Sequence, residues 1–373
     1  MKVGIITYHR AINYGAFLQA YALCSKLNEE DDIEAEIIDY NMAVEKKLYG
    51  NRFNKNYIIH PIISFMRIRM LNKQKNLFRE EYKKLRLTSE HVISDNFCDF
   101  NRYASKQGYD AIICGSDEIW KIDGIRGFPN AYWLIGDIGC KKYSYAASSR
   151  SDFSTLNKDS INKLKSALND FEFIGVRDNL TFRQVIKYIN DKSIATICCD
   201  PTFLYDFKPN KKRGQEILKR ITKKSKEKTI VVMMENNNMA NNIFSRLKDH
   251  YNLVCVYLWH PKYINGCELN PFDWIDVLCA CDFVITSFFH AVCFSIKHNT
   301  PFMAIGTRDK SSKLNELARE YDNKAFQIYE PKVVKEERLN AIIENLIINW
   351  DKTQIIPDRF YVGYDRMLRE LRK

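Results

Sequence analysis

Runs of apolar residues alternate along the first 205 residues with stretches whose apolar positions recur at helical spacing. The opening run, KVGIITY, has no polar break, which is typical of a strand buried on both faces of a parallel sheet. In the segment that follows, Ala16, Ala20, Leu23 and Leu27 recur at helical spacing and predict a helix, and EAEIIDY predicts the next strand. The order strand, helix, strand predicts a βαβ unit with a right-handed crossover.

The same alternation continues through the chain and is interrupted by a lysine-rich stretch after residue 205. Strands are predicted at YDAIICG, KKYSYAAS, FEFIGVRD and SIATICC before this stretch, and at TIVVMME, NLVCVYLW, FVITS and PFMAI after it. We therefore predict an α/β protein with two doubly wound, Rossmann-like domains facing a cleft. The expected limits are 1–205 for the first domain, with a basic helical insertion at 46–86, 206–335 for the second domain, and 336–373 for a helical tail that packs back across the first.

The composition is that of a globular protein, with 46% hydrophobic and 28% charged residues among 373. The most apolar stretch, Phe283 to Ile296, is too short to cross a bilayer, and the apolar run after Lys2 is too short for a signal peptide, so we expect a cytoplasmic location. The eleven cysteines are odd in number and several lie in apolar runs, so we expect buried thiols. Their spacing predicts no metal site.

The net charge of +11 is concentrated in two segments. Residues 46–86 carry twelve lysines and arginines against two glutamates, and residues 206–228 carry ten against three acidic residues. Neither segment has the motifs of a nucleic-acid-binding domain, so we expect no nucleic-acid partner. From Tyr57 to Leu71, basic and large apolar residues alternate as in an interfacial helix, so one interpretation is peripheral contact with the inner membrane face. The other is a partly buried helix with a solvated basic edge.

Polar residues follow four of the predicted strands. Ligands of open parallel sheets bind beyond the carboxyl ends of the strands, which makes these turns the candidate site. The candidates are Tyr8, His9, Asn13 and Gly15 after the first strand, Gly115, Ser116 and Asp117 after Cys114, Glu235, Asn236 and Asn237 after Met234, and Ser287 to His290 after Ile285. The sequence contains no G-x-G-x-x-G motif after the first strand and no Walker motif, which disfavours nicotinamide and P-loop chemistry.

Two titratable residues stand out by their position at predicted strand ends. His290 follows the apolar Phe288 and Phe289 at a strand-to-helix junction, where an imidazole either transfers protons or bonds a backbone carbonyl in the core. Arg177 follows an apolar run in GVRD and either binds an anion or pairs with a neighbour such as Asp178. Position alone leaves both questions open.

Five strings occur in order along the chain: YHRAINYGAFLQAYAL, GSDEIW, IGVRDNLT, CDPTFL and TSFFHAVCFSIKHNTPF. Together they resemble the polysaccharide pyruvyl transferase family over residues 1 to about 320. The resemblance implies a fold similar to that of the GT-B glycosyltransferases. It also implies a reaction in which the enolpyruvyl group of phosphoenolpyruvate moves onto a sugar of a surface-polysaccharide repeat unit as a cyclic ketal, with release of phosphate. The expected partners are phosphoenolpyruvate as donor substrate and a sugar acceptor, free or linked to a lipid diphosphate, with no cofactor and no metal.

The resemblance also implies roles for individual residues. His290 becomes an acid/base or a phosphate ligand, and Arg177 a clamp for the donor anion. Asp117 is a third catalytic candidate, although an Asp at such a position commonly does no more than cap its turn. Asn13 and Tyr14 are expected to line the cleft beside the substrate.

The sequence departs from the usual family pattern at the histidine. Phe288 and Phe289 precede it, where family members often have a small polar residue or Arg, and Ala291 stands where Gly is common. Glu118 stands where Gln or Val is commoner. These changes reduce the expected number of donor-side arginines. Three cations beyond the last strand are expected to compensate and to bind substrate, namely Arg308, Lys310 and Lys313.

Two other functions remain as alternatives. A GT-B glycosyltransferase that uses a nucleotide sugar has the same fold, and the second domain of that fold binds nucleotides. A non-catalytic carbohydrate-binding protein would have kept the fold and lost the activity, but the presence of His290 and Arg177 argues against this reading.

Overall fold

The computed structural model describes residues 1–45, 61–222, 226–234, 237–256, 269–306, 311–321, 327–351 and 356–373. Four predicted site residues lie outside the described residues, namely Glu235, Asn236, Arg308 and Lys310. The first part of the basic insertion, residues 46–60, also lies outside them.

The strands are short and are built from the apolar runs of the sequence. In chain order they are β1 (Lys2–Ile6), β2 (Glu34–Ile37), β3 (Tyr40–Asn41), β4 (Val92–Ile93), β5 (Ala111–Cys114), β6 (Lys141–Ala147), β7 (Phe173–Val176), β8 (Ala195–Ile197), β9 (Thr229–Met233), β10 (Asn252–Cys255), β11 (Phe283–Thr286), β12 (Phe302–Ile305) and β13 (Ile328–Tyr329). Most residues of β5, β7, β11 and β12 are buried, as expected for parallel strands covered on both faces.

Helices connect most of these strands. In chain order they are α1 (Tyr14–Leu27), α2 (Pro61–Tyr82), α3 (Phe97–Ala104), α4 (Lys158–Leu168), α5 (Asn179–Val185), α6 (Lys211–Thr222), α7 (Asn237–Leu247), α8 (Pro271–Ala280), α9 (Phe289–Lys297), α10 (Ser311–Tyr321), α11 (Leu339–Ile348) and α12 (Val362–Leu371). This alternation of strand and helix confirms the predicted α/β class with two Rossmann-like domains.

The first sheet is parallel throughout and has the order β2-β1-β5-β6-β7-β8. The chain leaves β1 toward β2 on one side and reaches β5 on the other, so the connections diverge between β1 and β5. Ile6 pairs with Cys114, which brings the carboxyl ends of these two strands level. Such a divergence point is where open α/β sheets bind ligands.

The second sheet repeats this arrangement with the order β10-β9-β11-β12-β13, again all parallel. Here the connections diverge between β9 and β11. Met233 pairs with Thr286, so the two strands end at the same level and the turn that follows β11 lies at the divergence point.

The chain separates into two compact units. The first comprises residues 1–52, 82–205 and 358–373, and the second comprises 53–81 and 206–357. One division falls after Tyr205, and helix α2 groups with the second unit up to Glu81, although we expected it within the first domain. A run of positive charge marks a solvated surface and does not specify which domain the segment joins.

The expected tail is divided between the units. Residues up to 357, including α11, belong to the second unit, and α12 belongs to the first. Gly363 lets α12 approach β8 closely, because a Cβ there would lie 2.7 Å from the Cys198 Sγ and 2.9 Å from the Ile197 carbonyl oxygen. The Tyr143 hydroxyl donates to the Glu370 carbonyl at 3.2 Å, which fixes the other end of the helix.

The cysteines behave as small core residues. Among the described cysteines, Cys114, Cys198, Cys255 and Cys281 are buried, as predicted. Within the described part of the chain, no helix is both long enough and apolar enough to span a bilayer.

Candidate functional site

The turn after β1 leads into α1 through a side-chain cap. The Asn13 Oδ1 accepts hydrogen bonds from the backbone N–H groups of Gly15 at 2.9 Å and Ala16 at 3.3 Å. Asn13 itself is exposed, whereas Tyr14 and Gly15 are buried in the first turn of the helix. Of these three predicted ligands, Asn13 is therefore the most accessible at the divergence point of the first sheet.

His9 is fully buried, and this burial is at odds with its predicted role as a substrate ligand. Its Nε2 lies 3.0 Å from the Asp39 Oδ1 and its Nδ1 lies 3.1 Å from the Thr7 carbonyl oxygen, so both ring nitrogens are engaged. The Arg10 Nε also donates to the Asp39 Oδ1, at 2.6 Å. Burial opposes the ionisation of Asp39, but the hydrogen bonds from Arg10 and His9 outweigh it and hold the pKa of Asp39 well below its ordinary value. His9 thus stabilises the turn after β1 through its buried contacts with Thr7 and Asp39.

The turn after β5 is tied to the turn after β1 by Gln19 of α1. The Gln19 Oε1 accepts from the Ser116 backbone N–H at 3.1 Å, and its Nε2 donates to the Thr7 Oγ1 at 2.9 Å. The Thr7 hydroxyl in turn donates to the Ser116 carbonyl at 3.1 Å. Ser116 is completely buried, so it acts as part of this framework and is not exposed to a ligand, contrary to its predicted binding role.

Gly115 and Asp117 both have left-handed backbone conformations around this turn. Gly115 has φ +129°, and a Cβ there would lie 2.1 Å from the Tyr145 carbonyl oxygen, so only glycine fits. Asp117 has φ +76°, which is uncommon for a residue with a side chain. The side chain of Asp117 is one-fifth exposed at the carboxyl edge of the sheet. A strained, partly accessible carboxylate in this position is a candidate for chemistry.

Arg177 lies after β7 and is buried, with only 4% of its side chain exposed. Its NH1 donates to the Asp200 Oδ2 at 2.8 Å and its NH2 to the Asp117 Oδ1 at 3.4 Å. Burial alone would lower the pKa of Arg177, but the two carboxylates raise it above its ordinary value, so the guanidinium remains charged. Asp200 and Asp117 balance the charge of Arg177 inside the protein. The predicted role was different, because there the guanidinium binds the donor anion. Arg177 therefore joins the turns that carry Asp117 and Asp200.

Four further polar residues of this edge were not selected as site residues from the sequence. The Arg150 NH2 donates to the Glu118 Oε2 at 2.9 Å, and its Nε lies 2.6 Å from the Glu118 Oε1 in an ion pair. Both side chains are about one-quarter exposed. The Ser148 hydroxyl donates to the Asp178 Oδ2 at 2.6 Å, while Asp178 caps α5. Only the position of Ser148 and Arg150 directly after the KKYSYAA strand could have indicated them, since their partners depend on the order of strands in the sheet.

In the second unit, the turn after β11 carries His290 into the first turn of α9. The Thr286 hydroxyl donates to the Met233 carbonyl at 3.0 Å and accepts from the Phe288 N–H at 3.0 Å, which fixes the turn against the end of β9. Ser287 is buried and its N–H donates to the Met233 carbonyl at 3.1 Å, so its backbone has a structural role.

His290 itself is half-buried, with its ring edge-on to Phe289 at a centroid distance of 5.5 Å. Phe288, at the N-cap position, has no polar side chain to cap α9. The helix therefore presents its positive dipole end and an imidazole together at the divergence point of the second sheet.

The remaining predicted cation is Lys313, in the first turn of α10. Only 8% of this residue is exposed, which leaves little of its side chain accessible for binding a substrate. Among the residues with described side chains, no group of three or more histidine, cysteine or acidic residues is arranged to hold a metal ion.

Fold and site together define an α/β protein of the two-Rossmann-domain class, with polar turns at the carboxyl edges of two parallel sheets. The polysaccharide pyruvyl transferase family model matches residues 13–309, which is most of the chain. The protein belongs to this family of transferases that act on polysaccharides. Among curated proteins, none matches this chain.

Several solved structures are similar to the whole chain. They include the UDP-GlcNAc 2-epimerase of Neisseria meningitidis bound to UDP-GlcNAc, with 10% identity, a TM-score of 0.55 and 100% of both chains covered. The UDP-GlcNAc 2-epimerase of Methanocaldococcus jannaschii has 10% identity and a TM-score of 0.54, with 100% of this chain and 99% of that chain covered. HepE of Anabaena in complex with UDP and glucose has 10% identity and a TM-score of 0.52, with 100% and 97% covered. At such low identity these likenesses establish the GT-B-like fold alone.

Proposed function

We propose that the protein transfers the enolpyruvyl group of phosphoenolpyruvate to two hydroxyls of one sugar in a surface-polysaccharide repeat unit, forming a pyruvate ketal and releasing phosphate. Membership of the family supports the general class of reaction. The observation that carries the proposal is His290, which lies half-buried at the N-terminus of α9 at the divergence point of the second sheet. This position combines a proton donor with a site favourable to an anion.

The reaction requires one proton donor, one base and positive charge for the phosphate. Protonation of the methylene carbon of phosphoenolpyruvate converts it to a methyl group and leaves C2 as an oxocarbenium ion. A sugar hydroxyl attacks C2 and loses its proton, and a second hydroxyl then forms the other C–O bond as the bond from C2 to the phosphate oxygen breaks. The electron pair of that bond leaves with phosphate, and the proton of the second hydroxyl balances the phosphate charge.

His290 supplies the proton to the methylene carbon in this proposal. An imidazole changes charge near neutral pH, so it can donate a proton and regain one in each cycle. The first turn of α9 offers backbone N–H groups and the positive end of a helix dipole to the phosphate. The hydroxyl of Thr286 supports this geometry, since it holds the turn before His290 against the end of β9.

Asp117 is the base that receives the acceptor proton in this proposal. Its carboxylate is partly exposed, and Arg177 holds it from the buried side at 3.4 Å. In this proposal the carboxylate is oriented by Arg177 together with the Glu118 N–H, which donates to the same oxygen at 2.8 Å. Asn13 and the Arg150–Glu118 pair are the other accessible polar groups of this edge that we assign to the sugar acceptor.

A donor screen tests the proposal against a nucleotide-sugar glycosyltransferase. The purified protein is incubated with phosphoenolpyruvate or with a panel of nucleotide sugars, in the presence of free and lipid-diphosphate-linked sugars. The products are analysed by mass spectrometry and by phosphate release. We expect a mass gain equal to pyruvate less water, with one phosphate released per acceptor modified. A gain of one hexose would identify a glycosyltransferase, and failure of every donor to bind would favour a carbohydrate-binding protein.

We further propose that the reaction needs no cofactor and no divalent metal, because cationic side chains and helix N-termini can balance the donor charge. The same assay run in a metal chelator tests this point. Undiminished turnover is expected. Activity that disappears in chelator and returns with magnesium or manganese would contradict it.

A further inference from the structure

Helix α2 (Pro61–Tyr82) buries one face. Leu71, Gln74 and Phe78 lie at helical spacing and are only 8%, 1% and 0% exposed. They define the side of the helix that the fold requires. Residues on the opposite side of the helix do not pack into the core, so core packing does not explain which residue types occur there.

That opposite side carries an exposed stripe of four residues. Ile62 and Phe65 are 75% and 67% exposed, and Arg69 and Lys73, one and two turns further along, are exposed as well. At 100° per residue the four lie within an arc of about 80°. We call Ile62, Phe65, Arg69 and Lys73 the α2 stripe.

Along the α2 stripe, the apolar residues come before the charged ones. Its two large apolar side chains lie together in the first turns of the helix, and its cations follow them toward the C-terminus. Residues 61–86 carry eight lysines and arginines against two glutamates, so this segment has a strong net positive charge. Exposed apolar residues bordered by cations are the pattern of a helix that lies in the interface of an anionic membrane.

We propose that the α2 stripe docks the protein reversibly on an anionic lipid surface. Ile62 and Phe65 enter the boundary between headgroups and acyl chains, and Arg69 and Lys73 lie at the level of the lipid phosphates. Charge complementarity selects anionic lipid, and the adjacent pair of exposed apolar side chains distinguishes a bilayer from a purely polar polyanion. The proposal is independent of the transfer reaction, because donor and acceptor in solution do not require the membrane.

Vesicle co-sedimentation of the full chain tests the proposal. Vesicles of phosphatidylcholine alone are compared with vesicles that also contain phosphatidylglycerol, at low and at raised salt. We expect binding to the anionic vesicles only, weakening as salt rises. Each cation removed from the stripe should lower the partition constant about fivefold, so Arg69→Gln/Lys73→Gln should lose more than about tenfold. Ile62→Ser/Phe65→Ser should lose at least as much.

Matched controls remove similar groups elsewhere. Lys219→Gln/Arg220→Gln takes two exposed cations from α6 in the other basic segment, and Ile348→Ser takes an exposed apolar residue from α11. We expect both controls to bind as the wild type does. The melting temperature of every variant is measured, so that a loss of stability is not taken for a loss of binding. The proposal is overturned if the wild type stays in the supernatant with anionic vesicles at low salt. It is equally overturned if neutral vesicles bind as well, or if the controls lose as much binding as the stripe variants.

Discussion

The Arg177 guanidinium donates to the carboxylate of Asp200 at 2.8 Å, although 23 residues separate them in the chain. The contact joins the residue after β7 to the turn after β8, and a second bond from Arg177 reaches Asp117 after β5. Three turns of the first sheet are therefore linked through one buried cation. Both carboxylates balance the guanidinium charge inside the protein, so in the proposed mechanism we expect Arg177 to act through Asp117.

We expect Arg177→Ala to lower the free energy of unfolding by about 3–5 kcal/mol, because it leaves the fully buried Asp200 carboxylate without its counter-charge. Urea unfolding measures this. Arg183→Ala, an exposed arginine on α5, is the control and should change stability by less than about 0.5 kcal/mol.

Arg177→Lys separates positioning from donor binding. Lysine lacks the planar fork whose two arms reach Asp200 and Asp117, so we expect kcat to fall more than the KM for phosphoenolpyruvate rises. If Arg177→Ala is as stable as the wild type and only raises that KM, Arg177 binds the donor directly, as the family resemblance implies.

Gly115→Ala tests the close approach of β5 and β6 at the site. The added Cβ would lie 2.1 Å from the Tyr145 carbonyl oxygen, so one strand must move, and we expect a loss of at least about 3 kcal/mol in the free energy of unfolding. Gly108→Ala is the control, because Gly108 also has positive φ but has open space around it. Its cost should be only about 1–2 kcal/mol. Equal losses in the two variants would mean that the approach to Tyr145 imposes no constraint.

The sequence located the turns but not the partners within them. An apolar run followed by a polar turn is enough to place Gly115–Asp117 and Ser287–His290 at strand ends, and the structure has them there. The pattern also places Arg177 at a strand end, but it does not predict that two carboxylates balance the charge of the guanidinium. Its partners Asp200 and Asp117 come close only through the strand order of the sheet.

His9 shows the same limit. A histidine after a strand can face solvent or the interior, and the deciding residue is Asp39, which follows β2 and lies 30 positions away. Helix α2 is a related case, because periodicity predicted a helix in the basic insertion but could not assign it to a unit. Local pattern fixes elements and their order, whereas side-chain partners depend on tertiary packing.

Thr286→Val should show that the turn before His290 is held by its hydroxyl. The substitution keeps the shape of the side chain but leaves the Met233 carbonyl and the Phe288 N–H without their bonds to Oγ1, at a cost of about 1–3 kcal/mol. We expect kcat to fall while the KM for phosphoenolpyruvate changes little, and Thr286→Ser to restore most of the rate. Unchanged kcat in the valine variant would remove Thr286 from the positioning of His290.

His298 should make stability depend on pH. Burial, reinforced by the charge of Lys297, lowers the pKa of His298 to about 4, and its Nε2 has no hydrogen-bond partner among the described residues. The unfolded chain binds this proton below about pH 6.5 while the folded protein does not, so stability is full above about pH 6.5 and falls as pH drops toward 4. The loss should amount to a few kcal/mol.

Urea unfolding of His298→Gln across this pH range provides the comparison. The difference in stability between wild type and variant should shift in favour of the variant as the solution is acidified. A difference that stays constant from pH 7 to pH 4 would show that His298 does not titrate differently in the folded and unfolded states.

In the proposed mechanism His290 protonates phosphoenolpyruvate during transfer of its enolpyruvyl group, and phosphate release measured together with product mass tests this role. Wild type and His290→Ala are both assayed with phosphoenolpyruvate and the same acceptor panel. Their melting temperatures are first shown to be the same. We expect the wild type to release one phosphate for each acceptor that gains pyruvate less water, and His290→Ala to be slower by about 10²–10⁴. A wild type that releases no phosphate with any acceptor, or a variant within a few-fold of the wild-type rate, would contradict the account.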